Sequence, residues 1–226
     1  KNIGVANNLT TGFLDVGTPG FQNDYNRRIE RSVLATDIPH RWTLGANYDL
    51  PFGRGKKFGQ DMNRWLDVAV GGWQVNTVIS YSTGFPLQFG NSGAPAYAGS
   101  RPSYTSENPQ AETSGSIQER LGGISGGPGY LNASAFRQPL SFEFGNIPRL
   151  TGNLRTPSTS NIDLSILKNF QLHERVRLQL RGEAYNLPNH PIFGGPNTSV
   201  GNANFGIITS QSNSPRNIQV AMRLIF

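Results

Sequence analysis

The chain has 226 residues, of which only 15% are charged, against roughly 25% in an average soluble domain. Glycine (27) and proline (15) are abundant and the strong helix formers never accumulate over a helical window, which argues against an all-helical fold. The net charge of +6 is scattered: the densest groups, Arg54, Lys56, Lys57 and Arg64, then Arg175, Arg177 and Arg181, form no run of like charge, so the footprint of a nucleic-acid binder is missing. There is no cysteine, which removes disulfide frameworks and thiolate metal sites. No stretch of about 18 apolar residues exists, so a membrane could be crossed only by strands. The first eight residues lack the layout of a signal peptide, and an exported chain would be either mature or a piece of something longer.

Period-two alternation predicts strands near 40–51, 69–86, 161–171, 174–186 and 217–226. In the first, Trp42, Leu44, Ala46, Tyr48 and Leu50 share a face opposite Arg41, Thr43, Gly45, Asn47 and Asp49. In the second, Trp73, Val75, Thr77, Ile79 and Tyr81 share a face. Ile162, Leu164 and Ile166, then Val176, Leu178, Leu180 and Ala184, predict a hairpin turning near Leu172-His173. Lys168 falls on the apolar parity, where a lysine can snorkel to an interface. The last strand carries Ile218, Val220, Met222, Leu224 and Phe226 on one face.

The connections are unequal. Residues 91–160 and 187–216 show no periodic segment, while the turns at 52–66 and 172–173 are shorter. Structureless stretches of such length argue against a compact soluble domain, whereas outer-membrane barrels alternate long extracellular loops with short periplasmic turns. The fold class this predicts is all-β, with antiparallel transmembrane strands forming the C-terminal part of a large barrel and 91–160 and 187–216 outside. Trp42, Leu44, Tyr48, Trp73, Val75, Ile79, Leu178 and Leu180 would face lipid, with Trp42, Tyr48, Trp73 and Tyr81 in aromatic girdles; Trp42 to Phe52 would span roughly 25 Å.

An ordered set of motifs carries a family resemblance: Asp37-Ile38-Pro39-His40-Arg41-Trp42, Leu50-Pro51-Phe52-Gly53-Arg54-Gly55, Gly71-Gly72-Trp73-Gln74-Val75, Ser82-Thr83-Gly84-Phe85-Pro86, Arg101-Pro102, Asn161-Ile162-Asp163-Leu164-Ser165, Lys168-Asn169-Phe170, Arg181-Gly182-Glu183-Ala184-Tyr185-Asn186-Leu187-Pro188-Asn189-His190 and Pro215-Arg216-Asn217-Ile218-Gln219. From about residue 25 onward the chain resembles the C-terminal barrel region of Oar-like TonB-dependent receptors. The resemblance implies a barrel of roughly 22 strands closed by a plug, of which five strands and no plug are present. It implies energy-dependent uptake of an unidentified substrate across the bacterial outer membrane. The partners it implies are outer-membrane lipid, the rest of the barrel and its plug, TonB through an N-terminal part, and the barrel-assembly machinery. Val220, Met222, Leu224 and Phe226 would serve as the assembly signal. An adhesion or structural barrel is the alternative, and a soluble β-sandwich binding module a further one.

Nothing in the residues points to catalysis. His40, His173 and His190 lack ligand spacing, the glycines of 122–129 lack the Gly-Lys-Ser/Thr ending of a phosphate loop, and there is no G-x-S-x-G elbow. No catalytic residue, cofactor or metal site is expected. The polar parity is the more informative face: Asn161, Asp163, Arg175, Arg177, Arg181 and Glu183 form a predicted lumen-facing wall, with Asp163 across from Arg181 or a neighbour and Asn161 near Glu183.

Overall fold

Residues 3–4, 21–23, 25–107, 109–123, 126–173 and 175–226 are described by the computed structural model; most of the N-terminal octet, and Ile124-Ser125 of the glycine-rich stretch, lie outside them. Five long strands carry the architecture: β1 (Arg41–Asp49), β2 (Trp73–Ser82), β3 (Thr159–His173), β4 (Val176–Tyr185) and β5 (Asn217–Ile225). One helix, α1 (Arg64–Val70), precedes β2. The strands form one sheet in sequence order, β1-β2-β3-β4-β5. Trp42 meets Tyr81 at one end of the first pair, and Leu50 N–H donates to the Trp73 carbonyl at the other (2.9 Å), so β1 and β2 run antiparallel. β3 with β4 and β4 with β5 are antiparallel by register. This is an up-and-down meander with two free edges, and no barrel closes among the described residues.

The chain divides into two compact units. The sheet unit is Arg41–Tyr81, Thr159–Pro191 and Asn213–Phe226. Its strands have no second layer: every residue of β1, and all but the last of β5, is exposed on both faces. A soluble β-sandwich would bury one face of each strand, and that expectation fails here.

The other unit comprises Lys1–His40, Ser82–Ser158 and Ile192–Ser212. It corrects the expectation of structureless loops. Leu87, Phe89, Ala111, Tyr130, Leu131, Phe136, Ile147, Leu154, Val200, Phe205 and Ile208 form a buried cluster. Phe136 stacks on Phe89 with ring centroids 4.9 Å apart and meets Phe205 edge-on at 5.0 Å, contacts worth about 0.5–1.5 kcal/mol each beyond burial. Regular structure is minimal, with two-residue strands such as Gly90–Asn91 and Ser103–Tyr104, and isolated backbone hydrogen bonds such as Leu87 N–H to the Leu154 carbonyl (2.9 Å) are joined by side-chain ties. Glu30 and Arg101 make a fully buried bidentate ion pair (2.8 and 3.1 Å). Arg155 ties the Asp37 carboxylate at 2.5 Å, the Asp37 carbonyl at 2.8 Å and the Gly84 carbonyl at 3.1 Å. Gly84 has to be glycine, because a Cβ there would sit 1.7 Å from the Thr156 carbonyl oxygen.

Three further expectations are corrected in the sheet unit. The second strand begins at Trp73 rather than residue 69, because Asn63 caps a helical turn by accepting from Leu66 N–H at 2.8 Å, and Gly71-Gly72 ends it with Gly72 at φ +71°. β1 ends at Asp49, so Phe52 is not its terminal girdle residue; it bridges to Phe58 within the connection. β3 continues to His173, which pairs with Val176. The turn therefore follows Leu172-His173 instead of occupying it.

Candidate functional site

Register decides which side chains meet, and it builds two unlike faces. Leu164, Ala184 and Ile218 align in one row, Ile166, Gly182 and Val220 in the next, then Lys168, Leu180 and Met222, and finally Phe170, Leu178 and Leu224. This apolar face is exposed at the edge strands: Leu44 is 51% accessible, Val220 80% and Met222 72%. Thr77 shares it without an orphaned hydroxyl, since its Oγ1 donates to the Asp163 carbonyl (3.0 Å). The Trp42 and Tyr81 ring centroids are 6.1 Å apart at one end of the face and join Ile79, Ile162, Pro188 and His190 around a cleft of about 340 Å³.

Lys168 departs from expectation. It is 4% exposed rather than snorkelled, its Nζ lies 5.0 Å from the Trp73 ring and 5.2 Å from the Phe170 ring, and it donates to the carbonyls of Ala69 (3.2 Å) and Gly71. Those carbonyls belong to the C-terminal end of α1, where partial negative charge favours a cation. Trp73 Nε1 donates to the Ala69 carbonyl as well (3.0 Å). A lysine on the apolar parity thus closes a helix end.

The opposite face is polar. Ser165, Glu183 and Gln219 form one row, and Asn169, Gln179 and Arg223 another, with Gln179 Nε2 donating to Asn169 Oδ1 at 3.0 Å. Glu183 pairs with Arg181 two residues away, accepts from Gln219 Nε2 and accepts from the Tyr185 hydroxyl at 3.1 Å. The expected cross-strand partners are corrected. Register sets Leu167 opposite Arg181 and Ser165 opposite Glu183. Asp163 instead accepts from Asn186 N–H and from Asn161 Nδ2, both at 2.9 Å. Arg175 lies in the turn before β4, outside the wall, while Arg177 stays within it opposite Gln171 and Ile225. Asp163, Arg181 and Glu183 do share a cleft of about 220 Å³ with Asn76 and Ser165. Asn76 Oδ1 and Ser165 Oγ are buried there without a hydrogen-bond partner, the kind of polar group that calls for a bound water or a further contact.

The run Asn186-Leu187-Pro188-Asn189-His190 follows β4 directly and owes its form to its asparagines. Asn186 and Asn189 both adopt positive φ (52° and 54°), which asparagine tolerates better than other side chains. Asn186 Nδ2 donates to the carbonyls of His190 and Ser214 (3.2 Å each) while its Oδ1 accepts from His190 N–H (2.9 Å). Asn189 Oδ1 accepts from Arg216 N–H at 2.9 Å. The motif is a corner that clips the approach to β5 onto the end of β4.

Among the described residues no cluster of histidine and carboxylates could hold a metal ion, and His40, His173 and His190 sit just before β1, at the end of β3 and in the corner. Gly122, Gly123 and Gly126 take positive φ, and no α-helix follows them among the described residues before β3. Val220, Met222 and Leu224 lie on the apolar face of edge strand β5, and Phe226 beyond its end is 92% exposed. Searches of curated proteins and of solved structures returned no match. Residues 2–219, however, match the family described as outer membrane beta barrel domain. An antiparallel meander that presents one bare apolar face and one polar face agrees with that match, and the chain belongs to this family, whose place is the bacterial outer membrane.

Proposed function

We propose that the chain is barrel wall from a TonB-dependent receptor that takes up a substrate across the outer membrane with energy supplied from the inner membrane. The observation that carries the reading is the pairing of faces: an exposed apolar belt from Trp42 to Leu224 backed by the Arg181-Glu183-Gln219 ladder, the arrangement of a strand between lipid and an aqueous, plug-filled lumen. The ordered motifs of the sequence, several of which form structural clips, support the receptor assignment over other barrels. In this reading lipid covers the apolar face, the plug meets the polar face, and 91–160 with 187–216 is the extracellular capture surface. TonB acts through a segment outside these 226 residues, and the barrel-assembly machinery engages Val220, Met222, Leu224 and Phe226. No catalytic step is assigned.

The test is nutrient depletion by cells with and without the gene, each with and without a protonophore. Loss of uptake of one compound both on deletion and on collapse of the proton gradient supports the receptor. Deletion-sensitive uptake that persists under the protonophore makes the protein a passive channel, and no uptake difference at all favours the adhesion or structural barrel.

A further inference from the structure

We propose that the connection between β1 and β2 is a docking surface for the anionic phospholipid headgroups of the periplasmic leaflet. This rests on the membrane-spanning reading of the sheet and adds a lipid-selective rim to it. α1 is tethered through Ala69 and Gly71 to Trp73 and Lys168, and both of those residues occupy the apolar parity. The helix therefore sits at the end of the lipid-facing belt.

Its own apolar side chains bury nothing. Trp65 is 84% exposed, Leu66 53% and Val68 46%, with Phe58 and Phe52 exposed beside them. A seven-residue helix with no buried residue gains nothing from packing, yet large apolar groups stay in the open. Interleaved with them are the exposed cations Arg54, Lys56, Lys57 and Arg64, with Lys57 Nζ 5.5 Å from the Phe58 ring. The acids in the segment are Asp61 and Asp67, and Asp67 is engaged by Arg54 N–H at 2.7 Å. Aromatic and aliphatic groups beside cations match the boundary where acyl chains meet phosphate. Phe52, Arg54, Lys56, Arg64, Trp65 and Val68 line one cleft of about 980 Å³, which has room for a headgroup with the start of its acyl chains and far exceeds a single phosphate ion.

The experiment uses the whole receptor in nanodiscs of zwitterionic lipid, alone or mixed with phosphatidylglycerol. These 226 residues have no cysteine, so with any cysteine elsewhere in the receptor replaced by serine, a nitroxide on Trp65→Cys, or on Leu180→Cys within the sheet, reports one position. The expected result is contact with lipid-soluble relaxant at both. Lipid contact at 180 with water at 65 overturns the rim and keeps the sheet; water at both overturns the sheet reading beneath it. Retention of phosphatidylglycerol over zwitterionic lipid should fall about fivefold for each cation removed, on the order of twentyfold for Lys56→Gln with Lys57→Gln. Unchanged preference in that variant overturns the headgroup assignment, as does displacement of the lipid by equimolar inorganic phosphate.

Discussion

Replacing Glu30 by Gln should loosen the irregular unit more than almost any other isosteric change. The carboxylate is fully buried, Arg101 is 2% exposed, and two hydrogen bonds of 2.8 and 3.1 Å join them. Glutamine keeps the length and one carbonyl acceptor for the backbone N–H groups of Gln22 and Asn23, which Glu30 Oε1 now serves at 3.3 and 3.2 Å. What it removes is the countercharge. Arg101 Nε already lacks a partner, so the guanidinium would be left buried with little compensation, at a cost of about 3–5 kcal/mol. Hydrogen exchange followed by mass spectrometry on the assembled protein reads this as a rise in opening rate on the order of a hundredfold to a thousandfold for peptides across 99–105 and 143–151. Adding Arg101→Met to Glu30→Gln should recover most of the protection, because the orphaned charge is then gone. A loss under about 1 kcal/mol for Glu30→Gln, with no recovery in the double variant, would refute the claim that the charge pair holds these segments.

Leu44→Arg, near the middle of β1 on the apolar face, should cost about 2–4 kcal/mol in the assembled barrel, while Thr43→Arg on the opposite face of the same exposed strand stays within about 0.5 kcal/mol; urea titration of bilayer-folded protein compares them, and equal costs would reverse the faces. Asn186→Ala should cost about 2–4 kcal/mol in the same assay, combining three lost hydrogen bonds with a strained positive φ, and Asn186→Gly should recover the backbone part alone. Glu143 is held down to about 2 by hydrogen bonds from the Arg137 guanidinium, with the Leu140 N–H adding to it. A depressed acid contributes stability that is complete above its ordinary value near 4.5 and is lost as pH falls toward about 2; amide exchange around 137–143 should accelerate across that window, and Glu143→Gln should abolish the pH dependence.

The five strands were legible because each alternates with a strict period of two, and the register kept that parity across the sheet: Ile166, Gly182 and Val220 fall in one row as their parity demands. Contacts were less legible than faces. Asp163 has the right parity for the polar wall but ends at Asn186, since register depends on where the β3–β4 turn closes, one or two residues later than the alternation suggested. Helix α1 escaped because seven residues are too few for a 3.6 period to stand out, although Asn63 followed by Arg64-Trp65-Leu66 carries the capping signal. The packed core of 82–158 and 192–212 left no periodic trace at all. Its residues, such as Phe89, Phe136 and Phe205, meet through irregular backbone, and only the Gly84 and Arg101 motifs hinted that these segments are ordered.

That core draws on stretches lying on either side of the β3–β4 hairpin: Leu87 to Leu154 precede it and Val200 to Ile208 follow it. Closing such contacts requires a long excursion of chain, so their entropic toll falls early and their reward late. The hairpin, whose partners are neighbours in sequence, can zip within microseconds. The order of events during biogenesis follows from this. Strand pairing comes first and shortens the effective loop, and the aromatic cluster consolidates last. Until then Phe89, Phe136 and Phe205 are exposed, and the unfinished chain carries adhesive apolar surface in these segments as well as in the strands.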